Sequence, residues 1–202
     1  DAALKAPNSS NMQCWEFYWV QSADKKDQLK KYCFNQGAAR TADQLIVCVA
    51  KRSVWRRNRK LLLHELSKTP NLPKDVFTYY GKLVPFMYIM GPLSIFGWFK
   101  KILFFLVGIF KVVPRTPHIR SEFFEMITKS SALACENLML AIVAQGYGCC
   151  PMEGFDGTRV KKLLGLGCGS HITMVIGIGR VDPKGIWGEQ FRIDKSLTIK
   201  RV

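Results

Sequence analysis

The densest group of short polar side chains in the sequence lies just before an aromatic run. From Ala6 to Trp15 the chain reads APNSSNMQCW, in which amide and hydroxyl side chains follow a proline closely. Such a stretch suits a polar ligand, since short side chains can both donate and accept hydrogen bonds. The alternative is a turn that leaves a helix and enters an edge strand. The candidate binding residues are Pro7, Asn8, Ser9, Asn11 and Gln13.

A second candidate group follows the longest helical pattern in the chain. After Gly146-Tyr147-Gly148 comes the run Pro151-Met152-Glu153-Gly154-Phe155-Asp156, which is typical of a tight turn. The backbone N–H groups of such a turn can stabilise an electron-rich ligand without a titrating side chain. Gly154 would let the ligand approach the backbone closely. An ordinary helix–turn–helix connection is the alternative interpretation.

Other catalytic arrangements find little support in the sequence. The histidines are scattered, and no Ser/His/Asp order or G-x-G-x-x-G fingerprint is present. The seven cysteines form no C-x-x-C pair, so no metal site is predicted. Their odd number favours reduced, mostly buried thiols and a cytoplasmic setting.

The elements that must position these groups can be read from the pattern of apolar residues. Short apolar or aromatic runs predict strands, and residues spaced three or four apart predict helices, with Gly146 ending the longest one. The order of strands and long helices predicts an α/β or α+β sandwich. The predicted strands are Trp15–Val20, Leu45–Ala50, His171–Ile178 and Ser196–Val202; the predicted helices are Asp24–Lys31, Ser121–Gln145 and Arg159–Leu164.

Four stretches of the chain together resemble the FMN-dependent nitroreductase family. They are the polar run before Trp15, in which Asn8 and Cys14 depart from the family pattern, then Phe34-Asn35, Glu136–Asp156 and Gly177–Val202. The resemblance covers nearly the whole chain, 1–202, as a single domain, except for an apolar insertion at about 83–120. It implies an α+β fold: a three-layer α/β/α sandwich with a mostly antiparallel central sheet, in a domain-exchanged homodimer.

The resemblance also implies which residues hold the cofactor. FMN would lie at the dimer interface, with the ring and ribityl chain against Pro7, Asn8, Ser9, Asn11 and Gln13. The amide of Asn35 would face the pyrimidine edge. Pro151 and Met152 would line the ring, and the backbone of Glu153 and Gly154 would hydrogen-bond flavin N5. Arg192 would reach the phosphate, whereas the lysines of some relatives are replaced by Ala38 and Gln190.

The activity implied by the resemblance is a two-step oxidoreduction. NAD(P)H would pass hydride to flavin N5 and leave, and a small apolar acceptor of nitroaromatic, quinone or enone type would then take its place. Relatives carry an Arg-rich segment that supplies further phosphate ligands, so we expect an N-terminal segment ahead of Asp1.

The insertion and the charge leave a second function open. Leu83 to Val113 is rich in Phe, Leu and Ile but is split by Lys100-Lys101 and by prolines and glycines, which makes a simple membrane-spanning helix a poor fit. It could be a lid over the flavin, a membrane-surface segment or a helix buried against the partner subunit. Thirty Lys and Arg against 15 Asp and Glu give a net charge of +15. The alternative function is therefore a basic, membrane-peripheral module without flavin; binding of nucleic acid by Lys51–Lys60 is disfavoured.

Overall fold

A computed structural model describes every residue from 1 to 202 except Trp187. The described residues form a four-stranded sheet surrounded by helices. The strands are β1 (Trp15–Val20), β2 (Gln44–Lys51), β3 (Gly148–Met152) and β4 (Ser170–Gly179). The helices are α1 (Ala23–Tyr32), α2 (Gly37–Thr41), α3 (Trp55–Ser67), α4 (Lys74–Thr78), α5 (Val84–Tyr88), α6 (Ile95–Phe110), α7 (Arg120–Ala144), α8 (Gly157–Leu163) and α9 (Lys195–Thr198).

The sheet is antiparallel throughout, in the order β1-β2-β4-β3. Ala50 of β2 lies opposite Trp15 on one side and His171 on the other, while Met152 of β3 lies opposite Val175. The strands that border the two candidate ligand groups, β1 and β3, are therefore the two edges of the sheet.

Both faces of the sheet are covered by helices, because the side chains of each strand alternate between them. On one face, Leu45, Val47 and Val49 of β2 form a core with residues of α1, α2 and α8. On the other face, Cys48 packs with Cys135 of α7. These layers confirm the predicted α/β/α sandwich on an antiparallel sheet.

Most of the predicted elements are confirmed to within two residues at each end. They include β1, β2, β4 and the helices α1, α7 and α8. Gly146 follows α7 with φ of 80°, a left-handed conformation that glycine adopts without a steric penalty.

Two predictions for the C-terminal half were wrong. Ser196–Val202 is not a strand: Asp194 caps the short helix α9, its side chain accepting a hydrogen bond from the Ser196 amide, and no strand pairs with this segment in the described chain. The expected turn at Pro151–Gly154 is also shorter than predicted, because Pro151 and Met152 belong to β3. A proline in an edge strand is tolerated because its missing N–H need not pair.

The sequence suggested that the lysine pair Lys100-Lys101 interrupts the apolar insertion, but it does not. The chain breaks instead at Gly91–Ser94, and α6 continues through both lysines. Lys100 is buried, and its Nζ donates to the carbonyls of Phe86, Met87 and Ile89 at 2.8, 3.0 and 2.9 Å. These carbonyls lie at the end of α5, where helix carbonyls lack partners. Lys100 thus ties α6 to α5.

Candidate functional site

The polar run before β1 forms a tightly wound, half-buried turn at the surface. Ser10, Asn11 and Gln13 have φ of 53°, 51° and 46°. Left-handed backbone is uncommon for residues other than glycine, and it is frequent at ligand-binding sites. Within the turn, the amide of Gln13 donates to Asn8 Oδ1 at 2.8 Å. The five residues predicted from the sequence therefore lie in one turn.

Three residues that the sequence analysis missed hold this polar turn in place. Asn58 of α3 donates through Nδ2 to the carbonyls of Met12 and Gln13, at 2.9 and 3.0 Å. Ser130 of α7 accepts from the Ser9 amide at 3.3 Å, and the hydroxyls of Ser10 and Tyr79 lie 2.8 Å apart. Nothing in the local sequence marks these residues, because their role depends on distant segments meeting.

A second turn, which is exposed, forms where α1 ends. Phe34 and Asn35 have φ of 56° and 49°, and the Asn35 amide donates to the carbonyl of Lys30 at 2.9 Å. Asparagine tolerates this conformation better than most residues. The side chain of Asn35 is exposed and available to a ligand.

The Asn35 turn and the chain after β3 are joined by hydrogen bonds. Gln36, another residue that sequence analysis missed, donates through Nε2 to the carbonyl of Gly154 at 2.8 Å. The amide of Asp156 donates to the carbonyl of Tyr32 at 2.7 Å. The Asn35 turn and Gly154, which are far apart in sequence, therefore lie next to each other in the fold.

The backbone at Glu153 and Gly154 has the properties of a site for a planar ligand. Both residues are exposed, and outside the sheet ladder their amides make no backbone hydrogen bond in the described chain. A Cβ added to Gly154 would meet only Gln36 Nε2, at 3.8 Å, so the space above this glycine is open. These features fit the edge of a flavin ring.

In the part of the chain that the structure describes, the Arg192 side chain makes no hydrogen bond to either turn. Its Nη1 donates to the carbonyl of Phe191 at 2.7 Å, and both residues are exposed. From Arg180 to Val202, every residue that the structure describes is exposed. Arg192 thus lies on an arm that the chain does not fold back onto its own sheet.

Asn35, Glu153 and Gly154 together form the second half of the candidate site, called the Asn35–Gly154 group. Within one chain, the polar turn and this group lie apart. The first leads into β1 and the second follows β3, with β2 and β4 between these edges. Three strand spacings amount to about 14 Å. The polar turn contacts α3 and α7, whereas the other group packs with α1 and α8, on the opposite face. The two candidate halves are therefore exposed on different sides of the molecule.

The antiparallel sheet and its two layers of helices define an α+β sandwich. The model of the nitroreductase family matches residues 1–180, and the chain belongs to this family. Among curated proteins, protein DrgA of Synechocystis sp. is 26% identical over 180 residues, which are 89% of this chain and 70% of that protein.

Solved structures share the fold at low identity. A putative nitroreductase, ydfN, from Bacillus subtilis has a TM-score of 0.72 at 19% identity, with 100% of this chain and 84% of that chain covered. A putative nitroreductase from Exiguobacterium sibiricum, crystallised in complex with FMN, has a TM-score of 0.70 at 21% identity and coverage of 100% and 82%. Both confirm the three-layer sandwich.

Proposed function

We propose that this protein is an FMN-dependent oxidoreductase that transfers hydride from NAD(P)H to a small apolar acceptor. Membership in the nitroreductase family supports the broader class, a flavin-dependent oxidoreductase. The observation that carries the assignment is the exposed backbone at Glu153 and Gly154, which Gln36 joins to the Asn35 turn and which has open space above Gly154. The FMN in the complex from Exiguobacterium sibiricum supports the choice of flavin.

The residues of this chain would bind and orient the cofactor. FMN, when bound, supplies a carrier that accepts hydride from NAD(P)H and gives it to a second substrate in ping-pong order. The fixed amides of Glu153 and Gly154 would donate to the ring edge at N5, and the side chain of Asn35 would donate to or accept from its pyrimidine edge. Because these donors are held by Gln36 and α1, they need not reorganise during the reaction.

A homodimer would explain why the candidate halves lie apart. The polar turn of one subunit would meet the Asn35–Gly154 group of its partner, and the exposed arm with Arg192 would cross to the other subunit. The arm carries the exposed apolar side chains Phe191, Ile193, Leu197 and Ile199. Such a row costs free energy in water and favours burial against a partner. The separation and the arm thus support the domain-exchanged dimer.

An apolar acceptor is favoured by what lies beside the proposed ring. Phe34, next to Asn35, is 69% exposed, although a phenylalanine gains free energy when it is buried. No ionisable side chain is required at the reacting atoms in this scheme, so the acceptor would be chosen by shape and apolar contact. Nitroaromatic, quinone and enone compounds meet this description.

The first test is the colour and redox behaviour of the purified protein. We expect flavin absorption bands that bleach when NADPH or NADH is added without oxygen, and that return when a quinone or nitroaromatic is added. The order of addition separates the two half-reactions. Protein that stays colourless and does not bind added FMN would contradict the proposal and support the membrane-peripheral module.

A further inference from the structure

Helix α6 has its polar face turned inward and its apolar face turned outward. The exposed side chains are Ile95, Phe96, Trp98, Phe99, Ile102, Leu103, Phe105, Leu106, Val107, Ile109 and Phe110. At 100° per residue they occupy an arc of about 200°. The remaining arc holds Gly97, Lys100, Lys101, Phe104 and Gly108. A helix on a water-soluble protein shows the opposite arrangement, with the apolar stripe toward the core.

The inward face is held to the rest of the protein at several points. Besides the contacts of Lys100, the Nζ of Lys101 lies 2.7 Å from Glu122 Oε1 of α7. The ring of Phe104 stacks on His118, with centroids 5.0 Å apart and planes at 11°. A Cβ on Gly97 would come within 2.1 Å of the His118 carbonyl oxygen, so only glycine fits this close approach. Turning α6 over to bury its apolar face would break all of these contacts.

The length of α6 is suited to a membrane surface rather than to crossing a bilayer. By length and composition, two helices of the described chain are apolar enough to cross a membrane. They are Pro92–Phe110, with a mean hydropathy of 1.8 and 17% of its apolar window buried, and α7, with a mean hydropathy of 1.3. Helix α6 itself has 16 residues, about 24 Å, which is less than the roughly 30 Å of a hydrocarbon core. Crossing would also place Lys100 and Lys101 in lipid.

The charge around α6 favours an anionic surface. Between Asp75 and Glu122 the chain has no acidic residue but six basic ones: Lys82, Lys100, Lys101, Lys111, Arg115 and Arg120. Lys82 and Lys111 are exposed beyond the two ends of the apolar helix, whereas Arg115 donates from Nη2 to the carbonyl of Gly108 at 2.7 Å, beside the inward face. Apolar side chains that enter the acyl region and cations that remain at the headgroups are the two features of an interfacial helix.

We propose that α6 is a docking surface for an anionic lipid membrane, in which it lies parallel to the surface with its outward arc among the acyl chains. A lipid surface can surround an arc of about 200°, whereas one flat protein face would leave part of it in water. This inference goes beyond the flavin chemistry and does not depend on it.

The test is flotation of the full chain with vesicles of phosphatidylcholine, with and without phosphatidylglycerol. We expect binding to the anionic vesicles, weakened at least about tenfold by Ile102→Glu, since a charge replaces a buried apolar side chain. The matched control is Leu61→Glu, an exposed leucine of α3 (59% against 60% for Ile102), which should bind like wild type. Replacing Lys82 or Lys111 with Gln should weaken binding about fivefold each.

Trp98 gives a second readout that does not rely on a charged substitution. It is 53% exposed on the outward arc, so brominated lipids should quench part of the protein fluorescence, and Trp98→Phe should remove that part. Equal binding of Ile102→Glu and wild type would overturn the proposal. A failure of the wild-type protein to bind the anionic vesicles would also overturn it. If Ile102→Glu were then a monomer in sedimentation and the wild type a dimer, a second copy of the chain would cover α6 instead.

Discussion

Gly154 and Asn35 are neighbours at the proposed flavin site, but each constrains the chain in its own way. At Gly154 the requirement is space, since an added Cβ would point into the opening above the backbone. At Asn35 it is conformation, because φ is 49°. Substitutions at the two positions should therefore separate the effect on the fold from the effect on the cofactor.

Gly154→Ala should keep the fold and weaken flavin binding. The new methyl group meets no atom closer than 3.8 Å, so we expect the free energy of unfolding without FMN to change by less than about 1 kcal/mol. FMN affinity should fall about tenfold or more, because the methyl group occupies the space of the ring. Fluorescence titration with FMN and urea unfolding measure the two quantities. Gly167→Ala, also in open space, should change neither.

The variants Asn35→Ala and Asn35→Gly should differ in their free energy of unfolding but not in their affinity for FMN. Asn35→Ala places a Cβ in left-handed backbone without the side-chain amide and should lower the free energy of unfolding by about 1 kcal/mol. Asn35→Gly should stay within about 0.5 kcal/mol of wild type, since glycine adopts this conformation freely. Both lose the amide and should bind FMN about tenfold less tightly. Unchanged affinity in both variants would remove Asn35 from the site.

At the scale of the elements, Glu122 fixes the start of α7 and its contact with α6. Burial by itself raises the pKa of Glu122, but hydrogen bonds from Lys101 Nζ and from the amides of His118 and Ile119 outweigh it and hold the pKa below its ordinary value. The stability contributed by the ionised carboxylate is thus fully present above the unfolded pKa. It is lost as the pH falls through the lower folded value.

Glu122→Gln should lower stability at neutral pH and weaken its dependence on acid. We expect a loss of about 1–2 kcal/mol at pH 7 and a flatter decline between about pH 5 and 3, because the amide does not titrate. Chemical unfolding at a series of pH values measures both effects. The control is Glu65→Gln, whose partner Lys68 lies beside it on the surface, and which should follow the wild-type curve.

Lys100→Met should loosen the junction of α5 and α6. The substitution leaves the carbonyls of Phe86, Met87 and Ile89 without their donor, at a total cost of about 1–3 kcal/mol. Hydrogen exchange should accelerate between residues 84 and 97, while exchange in β2 and β4 stays as in wild type. Lys111→Met, an exposed lysine at the end of the same helix, should leave the exchange unchanged. Equal protection of residues 84–97 in Lys100→Met would show that the three bonds contribute little.

At the scale of the whole molecule, the proposal requires that two chains share each cofactor. Subunits carrying Asn11→Ala with Gln13→Ala should fail to bind FMN tightly, and so should subunits carrying Gly154→Val. A mixed dimer of the two should recover one site of its two, since one site then receives both intact halves. Flavin content of the purified mixed dimer, of about 46 kDa from two chains of 23.0 kDa, measures this. If each site lay within one subunit, the mixed dimer would bind no FMN.

The sequence alone was enough for the elements whose pattern is local. The aromatic run of β1, the continuous apolar run of β2, the apolar spacing of α7 and the glycine after it are local features, and these elements were predicted closely. The polar run before Trp15 and the glycine at 154 also stand out, because turns with special backbone geometry use few residue types. The family could be inferred from these stretches taken in order, and the family model confirmed it.

The tertiary structure decided everything that depends on distant segments meeting. Lys100 looked like a break in an apolar run, but the free carbonyls at the end of α5 give its ammonium group a buried partner. Asn58 and Gln36 became visible only once α3 and β3 were placed beside the two turns. The tail resembled a strand, yet among the residues that the structure describes no edge of the sheet pairs with it. Local preference fixes helices and turns, whereas a partner for a buried charge or an edge strand exists only after the chain has folded.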